Sequence, residues 1–424
     1  MGPPTTATSN SNDNRTARDI LEGFGAEIQK KAHADAVQRG SGLKGVLSNA
    51  TYPKDKNPTN TTPSDPCGLD HQYHTNVTGG FGRNYPCANR SNIRFSDKYG
   101  GQCTDSKIKG NDDNTGGACA PLRRLFLCDH HLSHMEEHKI NDIHNLLLEV
   151  SLAAKYEGTS LVDNHKEYTK THGDFDSNIC TVLARSFADI GDIIRGKDLF
   201  IGYNQKDRNE KAKLQENLTK IFNEIYNGLN KTIQSQYNGD APTYYKLRED
   251  WWNANRKEIW KAMTCVAPEN AYIIKRRFDG GDIENLILTH PKCGHDTDPP
   301  VVDYIPQRLR WMSEWSEYFC NVLNKEIDEM NNQCKDCEMS RRCNDDSEGG
   351  KCKKCKEQCQ IFKELVSKWK NEFDKQSMKY KELYIKASTN ITKQNSSSPE
   401  RGYRRNHRRR GYDDDTNVQL FLKK

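Results

Sequence analysis

The chain has 424 residues, of which 34% are hydrophobic and 29% charged, with a formal net charge of +5. That length allows two or three packed domains of about 150 residues, while the near-balanced charge excludes a protein defined by bulk basicity; polyanion binding would have to come from local clusters. No run of about 18 apolar residues occurs, which excludes a membrane-spanning helix in this sequence, and fifteen cysteines exceed what a four-ligand metal site uses.

Residues 1–14 are polar and of low complexity. Met1-Gly2-Pro3-Pro4 leads into a Ser/Asn/Thr stretch without an apolar h-region, so no standard secretory signal is expected, and either an internal fragment or export without a cleaved signal is implied. Ile20, Leu21, Phe24 and Ile28 predict a helix from Thr16 to Val37 that ends near Gly40. Residues 50–121 are rich in Gly, Asn, Pro and Cys without a sustained period, and read as loops stapled by disulfides. Ser133-x-x-Glu136 reads as a capping box, followed by Ile140, Ile143, Leu147, Val150 and Ala154 on one helical stripe. A second long helix is expected over 209–237 from Leu214, Leu218, Ile221, Phe222, Ile225, Leu229 and Ile233. Residues 243–264 (Trp251, Trp252, Trp260) and 305–330 (Trp311, Trp315, Phe319, Leu323) give two more. Ile361, Leu365, Trp369 and Phe373 open a last helix that runs to about Ala387. These aromatics are expected in the core. Strand-type alternation is scarce, so the fold class is all-α, with long helices burying their stripes against one another. Past Ser388 the pattern stops; a Ser-rich linker precedes six arginines within Arg401–Arg410, read as an exposed basic tail toward a further domain.

Six cysteines lie between Cys334 and Cys359, spaced Cys334-x2-Cys337-x5-Cys343-x8-Cys352-x2-Cys355-x3-Cys359. Two C-x2-C pairs are a zinc pattern, but the surplus of thiols favours disulfides and an oxidising location. Their connectivity stays open, and the odd count requires one thiol that is free or pairs outside the chain. Several catalytic patterns fail. His134-Met135-Glu136-Glu137-His138 fits the H-x-x-E-H of inverted zinc peptidases, yet the histidines lie off the apolar stripe of their expected helix and no third ligand is evident. Gly40-x-Gly42-x-x-Gly45 follows a helix rather than a strand, against a dinucleotide loop. Sequons at Asn49, Asn60, Asn76, Asn217 and Asn230 are a weak signal in an Asn-rich chain. No enzyme, cofactor or metal is expected. What remains is cationic: Lys351, Lys353, Lys354 and Lys356 in the cysteine cluster, Lys275-Arg276-Arg277, and Arg123-Arg124 with Lys107 and Lys109. Fixed cations of this kind bind sulfate or carboxylate groups, although lysine-rich loops also simply solvate a disulfide knot.

Longer stretches are specific. Cys128-Asp129-His130-His131-Leu132, the run Ala184–Gly196 (ARSFADIGDIIRG), Leu247-Arg248-Glu249-Asp250-Trp251-Trp252, Trp260–Cys265 and Pro306-Gln307-Arg308-Leu309-Arg310-Trp311 with Glu314-Trp315 and Cys320 closely resemble the N-terminal segment plus alpha-type Duffy-binding-like domain of the variant erythrocyte membrane protein family of the falciparum malaria parasite. The resemblance spans about residues 15–390. It implies a Duffy-binding-like fold: an N-terminal segment at 1–65, an irregular Cys-rich subdomain 1 at 66–130, helical-bundle subdomains at 131–265 and 266–388, and a basic linker or tail at 389–424. It further implies display on the extracellular face of the infected red cell without a cleaved signal, anchored only by distant parts of the whole protein. Only Cys265 and Cys293 occur between Asp189 and Trp311, which resembles the two-cysteine subset linked to rosetting. The implied partners are heparan sulfate or heparin, ABO blood-group sugars on red cells, complement receptor 1 and host antibodies, with no nucleic acid. The alternatives are a module for a protein receptor and a zinc-dependent hydrolase. The family offers no fixed ligand motif, so the basic clusters are a reading of the residues alone.

Overall fold

The structure is a computed structural model; it describes residues 17–39, 42–55, 57, 61–79, 83–91, 93–95, 101–172, 178–279, 282–288, 290–335, 337, 352–395, 415, 418, 419 and 421. In chain order, α1 spans Ala17–Arg39, α2 Leu122–Leu125, α3 Ile143–His172, α4 Ile179–Arg195, α5 Gln205–Gly228, α6 Lys231–Gln234 and α7 Tyr245–Met263. A hairpin of β1 (Ile274–Asp279) and β2 (Asp282–Leu288) precedes α8 (Gln307–Cys334) and α9 (Lys353–Asn395). Among the described residues the fold is all-α apart from that antiparallel hairpin, whose register shifts between Arg276 and Arg277.

The main core lies where α3, α4, α5 and α7 meet, with Leu147, Leu183, Phe187, Phe222, Trp251, Trp252 and Trp260 all buried. α3 and α7 approach closely because Gly158 carries no side chain: a Cβ there would stand 2.0 Å from the Met263 carbonyl oxygen. Gly191 does the same for α4, where a Cβ would stand 2.7 Å from the Trp252 ring. α4 is enclosed almost all round. The Asn178 side chain accepts from Cys180 N at 2.8 Å to start it, and Gly196, at φ 75°, ends it in the left-handed region that favours glycine. Its residues entered the sequence argument only through the family resemblance, although Ile179, Val182, Leu183, Phe187, Ile190 and Ile194 do step by 3 and 4.

Two expected elements are corrected. α3 begins at Ile143, not at Ser133, because Asp142 supplies the cap: its Oδ1 accepts from His144 N and Asn145 N, both at 2.7 Å. Ser133 instead donates to the His130 carbonyl, and Glu136 pairs with Lys139. The helix expected over 209–237 breaks after Gly228, where Asn230 accepts from Ile233 N and starts a separate turn. The aromatic expectation holds for Trp251, Trp252, Trp260, Trp311, Trp315 and Trp369, but Ile361 (51%) and Phe373 (54%) are exposed.

Disulfides join Cys67–Cys265, Cys87–Cys128, Cys103–Cys119, Cys180–Cys293, Cys334–Cys355 and Cys337–Cys352. Cys359 is also disulfide-bonded; Cys320 is free and exposed. The two C-x2-C pairs are thus cross-linked to each other. Although the sulfurs of Cys334, Cys355 and Cys359 lie within 4.8 Å of one another, all three are oxidised, so they offer no thiolates to zinc. The same bonds tie the end of α8 to the start of α9. The tail departs from the exposed linker expected of it: Val418 and Phe421 are buried with Leu383, Leu309 and Ile305, against Leu21, Phe24 and Ile28 of α1. The arginine run 401–410 lies outside the described residues.

Candidate anion-binding surfaces

The first turn of α9 holds Lys353, Lys354 and Lys356, all exposed, directly after Cys352 and flanking Cys355. Lys353 reaches Glu357 only at 3.9 Å, and both are exposed. Lysines in a first helical turn oppose the positive end of the helix dipole, so this placement concentrates cationic potential without serving helix stability. Lys351 lies outside the described residues. Lys275, Arg276 and Arg277 fall on β1, with side chains outside the description. Lys107 and Lys109 flank Ile108, which bridges Phe200; Lys109 N donates to Leu199 O and Ile201 N to Lys107 O, each at 2.8 Å. Lys107 is half-buried and Lys109 exposed.

Arg123 and Arg124 do not join that surface, which corrects the expectation for them. They lie on α2 at 1% and 0% exposure. Arg123 donates to both Glu314 oxygens at 3.0 and 2.9 Å, to Ser186 Oγ at 2.8 Å, and pairs with Asp189 at 2.7 Å. Arg124 is held by Asp198 and, at 3.5 Å, by Asp129. Burying a guanidinium is costly unless it is paired; here the partners are carboxylates far along the chain, which a sequence run of two arginines does not reveal. The network continues: Arg310 pairs with Asp189 (2.7 Å) and Asp192 (2.6 Å), and Arg256 with Asp303 (2.6 Å). Burial alone would raise the Asp189 carboxyl, but Arg123 and Arg310 outweigh it and hold it down at about 2.

A cleft of about 370 Å³ opens between the end of α4, the Asp198–Ile201 segment, α5 and the start of α7. It gathers Lys109, Arg208, Lys211 and Arg248, with Asp129 and Asp198. Of these cations only Lys109 was singled out in the sequence. Arg208 and Lys211 come from α5 and Arg248 from α7, and a cluster assembled from two helices and a loop leaves no local run to read.

His134 and His138 do not share a helix. His134 sits on a short 3-10 turn with Nδ1 2.9 Å from the His130 carbonyl oxygen, and His138 lies 3.5 Å from Glu136 in the following turn. The helical spacing on which a shared metal depended is lost. Of the Gly40-x-Gly42-x-x-Gly45 stretch, Gly40 lies outside the described residues, and Gly45 serves packing: a Cβ there would stand 2.8 Å from Leu147. Asn76 and Asn217 of the sequons are buried.

Family profiles match along the chain: N-terminal segments of PfEMP1 at residues 16–51, the Duffy binding domain at 117–310, and the Duffy-binding-like domain, C-terminal subdomain, at 314–424. The Duffy receptor beta form of Plasmodium knowlesi is 24% identical over 370 residues, 82% of this chain and 27% of that protein. The Duffy receptor of Plasmodium vivax is 27% identical over 272 residues, 62% of this chain and 21% of that protein. The chain thus spans about a quarter of the length of these curated relatives. Among solved structures, the NTS-DBL1(alpha-1) domain of PfEMP1 from the Plasmodium falciparum varO strain is 31% identical at a TM-score of 0.69, covering 96% of this chain and 92% of that one. The varO double domain of NTS-DBL1-alpha and CIDR-gamma is 33% identical at 0.72, covering 96% and 58%. A PfEMP1 DBLbeta domain bound to ICAM-1 is 28% identical at 0.72, covering 97% and 89%.

Proposed function

Because the chain belongs to the PfEMP1 family, as its N-terminal segment followed by an alpha-type Duffy-binding-like adhesion domain, we propose that it is displayed on infected red cells and binds sulfated glycans of the heparan sulfate type, together with blood-group sugars, on uninfected ones. The carrying observation is the exposed Lys353, Lys354 and Lys356 turn, braced by Cys337–Cys352 and Cys334–Cys355. Lys351, Lys107, Lys109 and the β1 cluster Lys275, Arg276 and Arg277 extend the same reading. Host antibodies would meet these exposed positions as well. Exposed charges act over about 10 Å at 0.1 M salt and about 3 Å at 1 M, so such binding is weak per site, salt-sensitive and strengthened by many copies. The family is one of receptor-binding adhesion domains, which removes the hydrolase reading of His134 and His138.

The test is elution from a heparin column. Lys353→Ala with Lys354→Ala should elute at lower salt than the parent while keeping its melting temperature, and Arg276→Ala with Arg277→Ala should do the same; unchanged elution of both double variants would sink the assignment. A protein receptor, complement receptor 1 included, is the second reading, favoured by the relative solved with ICAM-1. Red-cell binding that ignores salt and heparin would move the function there.

A further inference from the structure

Most buried arginines of this molecule meet a carboxylate: Arg94 meets Glu157, Arg123 Glu314, Arg195 Asp192, Arg256 Asp303 and Arg310 Asp189. Arg248 does not. It is 2% exposed, and its Nε donates to Ile194 O at 2.6 Å, its Nη2 to Ile193 O at 3.2 Å and to Gln215 Oε1 at 2.8 Å. All three acceptors are neutral, and among the described residues no carboxylate lies within ion-pair distance. This guanidinium, held by the last carbonyls of α4 rather than by a carboxylate, lines the cleft beside Gly196 and Tyr245. Burial lowers its pKa to about 10, with Tyr245 and Asp240 acting in the opposite direction.

A second cation there is also incompletely used. Arg208 donates from Nη1 to Ser106 O at 2.7 Å, but its Nε is buried without a hydrogen-bond partner. The two acids of the cleft are already engaged: Asp129 holds Arg90 at 2.6 Å and Lys211 at 2.5 Å, and Asp198 holds Arg124. The balance left facing the cavity is positive. Its volume of about 370 Å³ falls at the small end of the roughly 300–1,000 Å³ of small-molecule sites. Phe200 and Tyr245 supply aromatic walls, and Thr219 and Thr243 supply hydroxyls.

We propose that this cleft is a separate binding site for a single sugar residue carrying one carboxylate or sulfate, with Arg248 and Arg208 taking the anion, the aromatic walls the ring and the threonines its hydroxyls. A forked guanidinium suits either anion geometry. The site is a half-open cleft sized for one residue, whereas the α9 lysines face open solvent and suit a polymer. Of the cations assigned to the glycan surface only Lys109 also lines the cleft, so the cleft and the α9 turn are tested separately.

Calorimetric titration of the oxidised domain with N-acetylneuraminic acid, N-acetylglucosamine 6-sulfate and N-acetylglucosamine tests it. At least one acidic sugar should bind about tenfold or more tighter than the neutral one, the scale of losing a charged hydrogen bond; which of the two binds identifies the anion. Ala212→Trp, at an exposed lining position, should block that binding without moving heparin-column elution, and Arg248→Lys should weaken it. Should Arg248→Lys fail to fold, the Ala212→Trp result decides. No binding of either acidic sugar, equal binding of the neutral sugar, or acidic-sugar binding that survives Ala212→Trp overturns the proposal.

Discussion

Asp189 shows how one side chain shapes this interior. It sits on α4 with no exposure and draws in Arg123 at 2.7 Å, Arg310 at 2.7 Å, Gln307 Nε2 at 3.0 Å and Trp311 Nε1 at 3.3 Å, so that α2, α4 and α8 meet on one carboxylate. Removing one member of a buried ion pair leaves the other charge stranded and costs about 3–5 kcal/mol. Asp189→Ala should therefore lower unfolding stability by that order in urea titrations, and a loss under about 1 kcal/mol would mean that water or rearrangement compensates the two arginines. The same residue gives a pH dependence. Its folded pKa, about 2, lies below its ordinary 3.8; its contribution is complete above about pH 4 and is lost as the pH falls through 2. Asp192, raised by burial, works in the opposite sense and softens the loss. Urea midpoints at pH 7, 4 and 2.5 should hold between the first two and drop at the third. Arg123 also marks the limit of reading a site from sequence. Adjacent arginines look like a surface patch until the carboxylates that bury them, Asp189, Asp198 and Glu314, are brought in from far along the chain.

Helices were legible where their stripes are amphipathic: α1, α7, α8 and most of α5 were anticipated to within a few residues. The start of α3 was not, because two caps compete within ten residues and only tertiary packing selects Asp142 over Ser133. The paired strands β1 and β2 carry too short an alternation to register. α9 is the instructive case, since its four apolar positions, Ile361, Leu365, Trp369 and Phe373, look equivalent in sequence. Trp369 is fully buried, 5.2 Å from Trp315 and 5.4 Å from Phe319 between ring centroids, while Phe373 is half-exposed along the same stripe. There α9 is covered by α8 on one side and by the 101–119 loop on another, where Gly101 N donates to Glu372 Oε2 and Gly117 N to Lys375 O, each at 3.0 Å, and Phe373 lies at the edge of that cover. Trp369→Ala should cost about 3–5 kcal/mol, whereas Phe373→Ala should stay below about 1; equal losses measured by denaturant titration would contradict this division of the helix. The cleft stayed hidden for the same reason as the network. Arg248 stands in a stretch recognised for its family resemblance, and nothing in the neighbouring residues announces that it meets no carboxylate.

Across the whole molecule, chain ends and covalent links decide what moves together. Phe421 packs edge-on against Phe24 at 5.8 Å, and Asp415 pairs with Lys379 at 2.8 Å, so the last described residues clasp α1 against α8 and α9. A chain ending at Asn395 should expose Ala17–Arg39 to faster amide hydrogen exchange while α4 and α7 keep their protection; unchanged exchange in α1 would show that the clasp carries no weight. The disulfide from Cys67 to Cys265 spans 198 residues and ties the loop-rich part of the chain to the end of α7. Read as a schedule of synthesis, that span becomes a wait. At about 5–20 residues per second, Cys67 leaves the ribosome on the order of ten to forty seconds before its partner. In that interval Cys87, Cys103, Cys119, Cys128 and Cys180 pass by as competitors. The native pairing is thus one that these earlier thiols can pre-empt, and where they do it is recovered only by thiol exchange, so the yield of this adhesin should rise with the isomerase capacity of the compartment in which it is made.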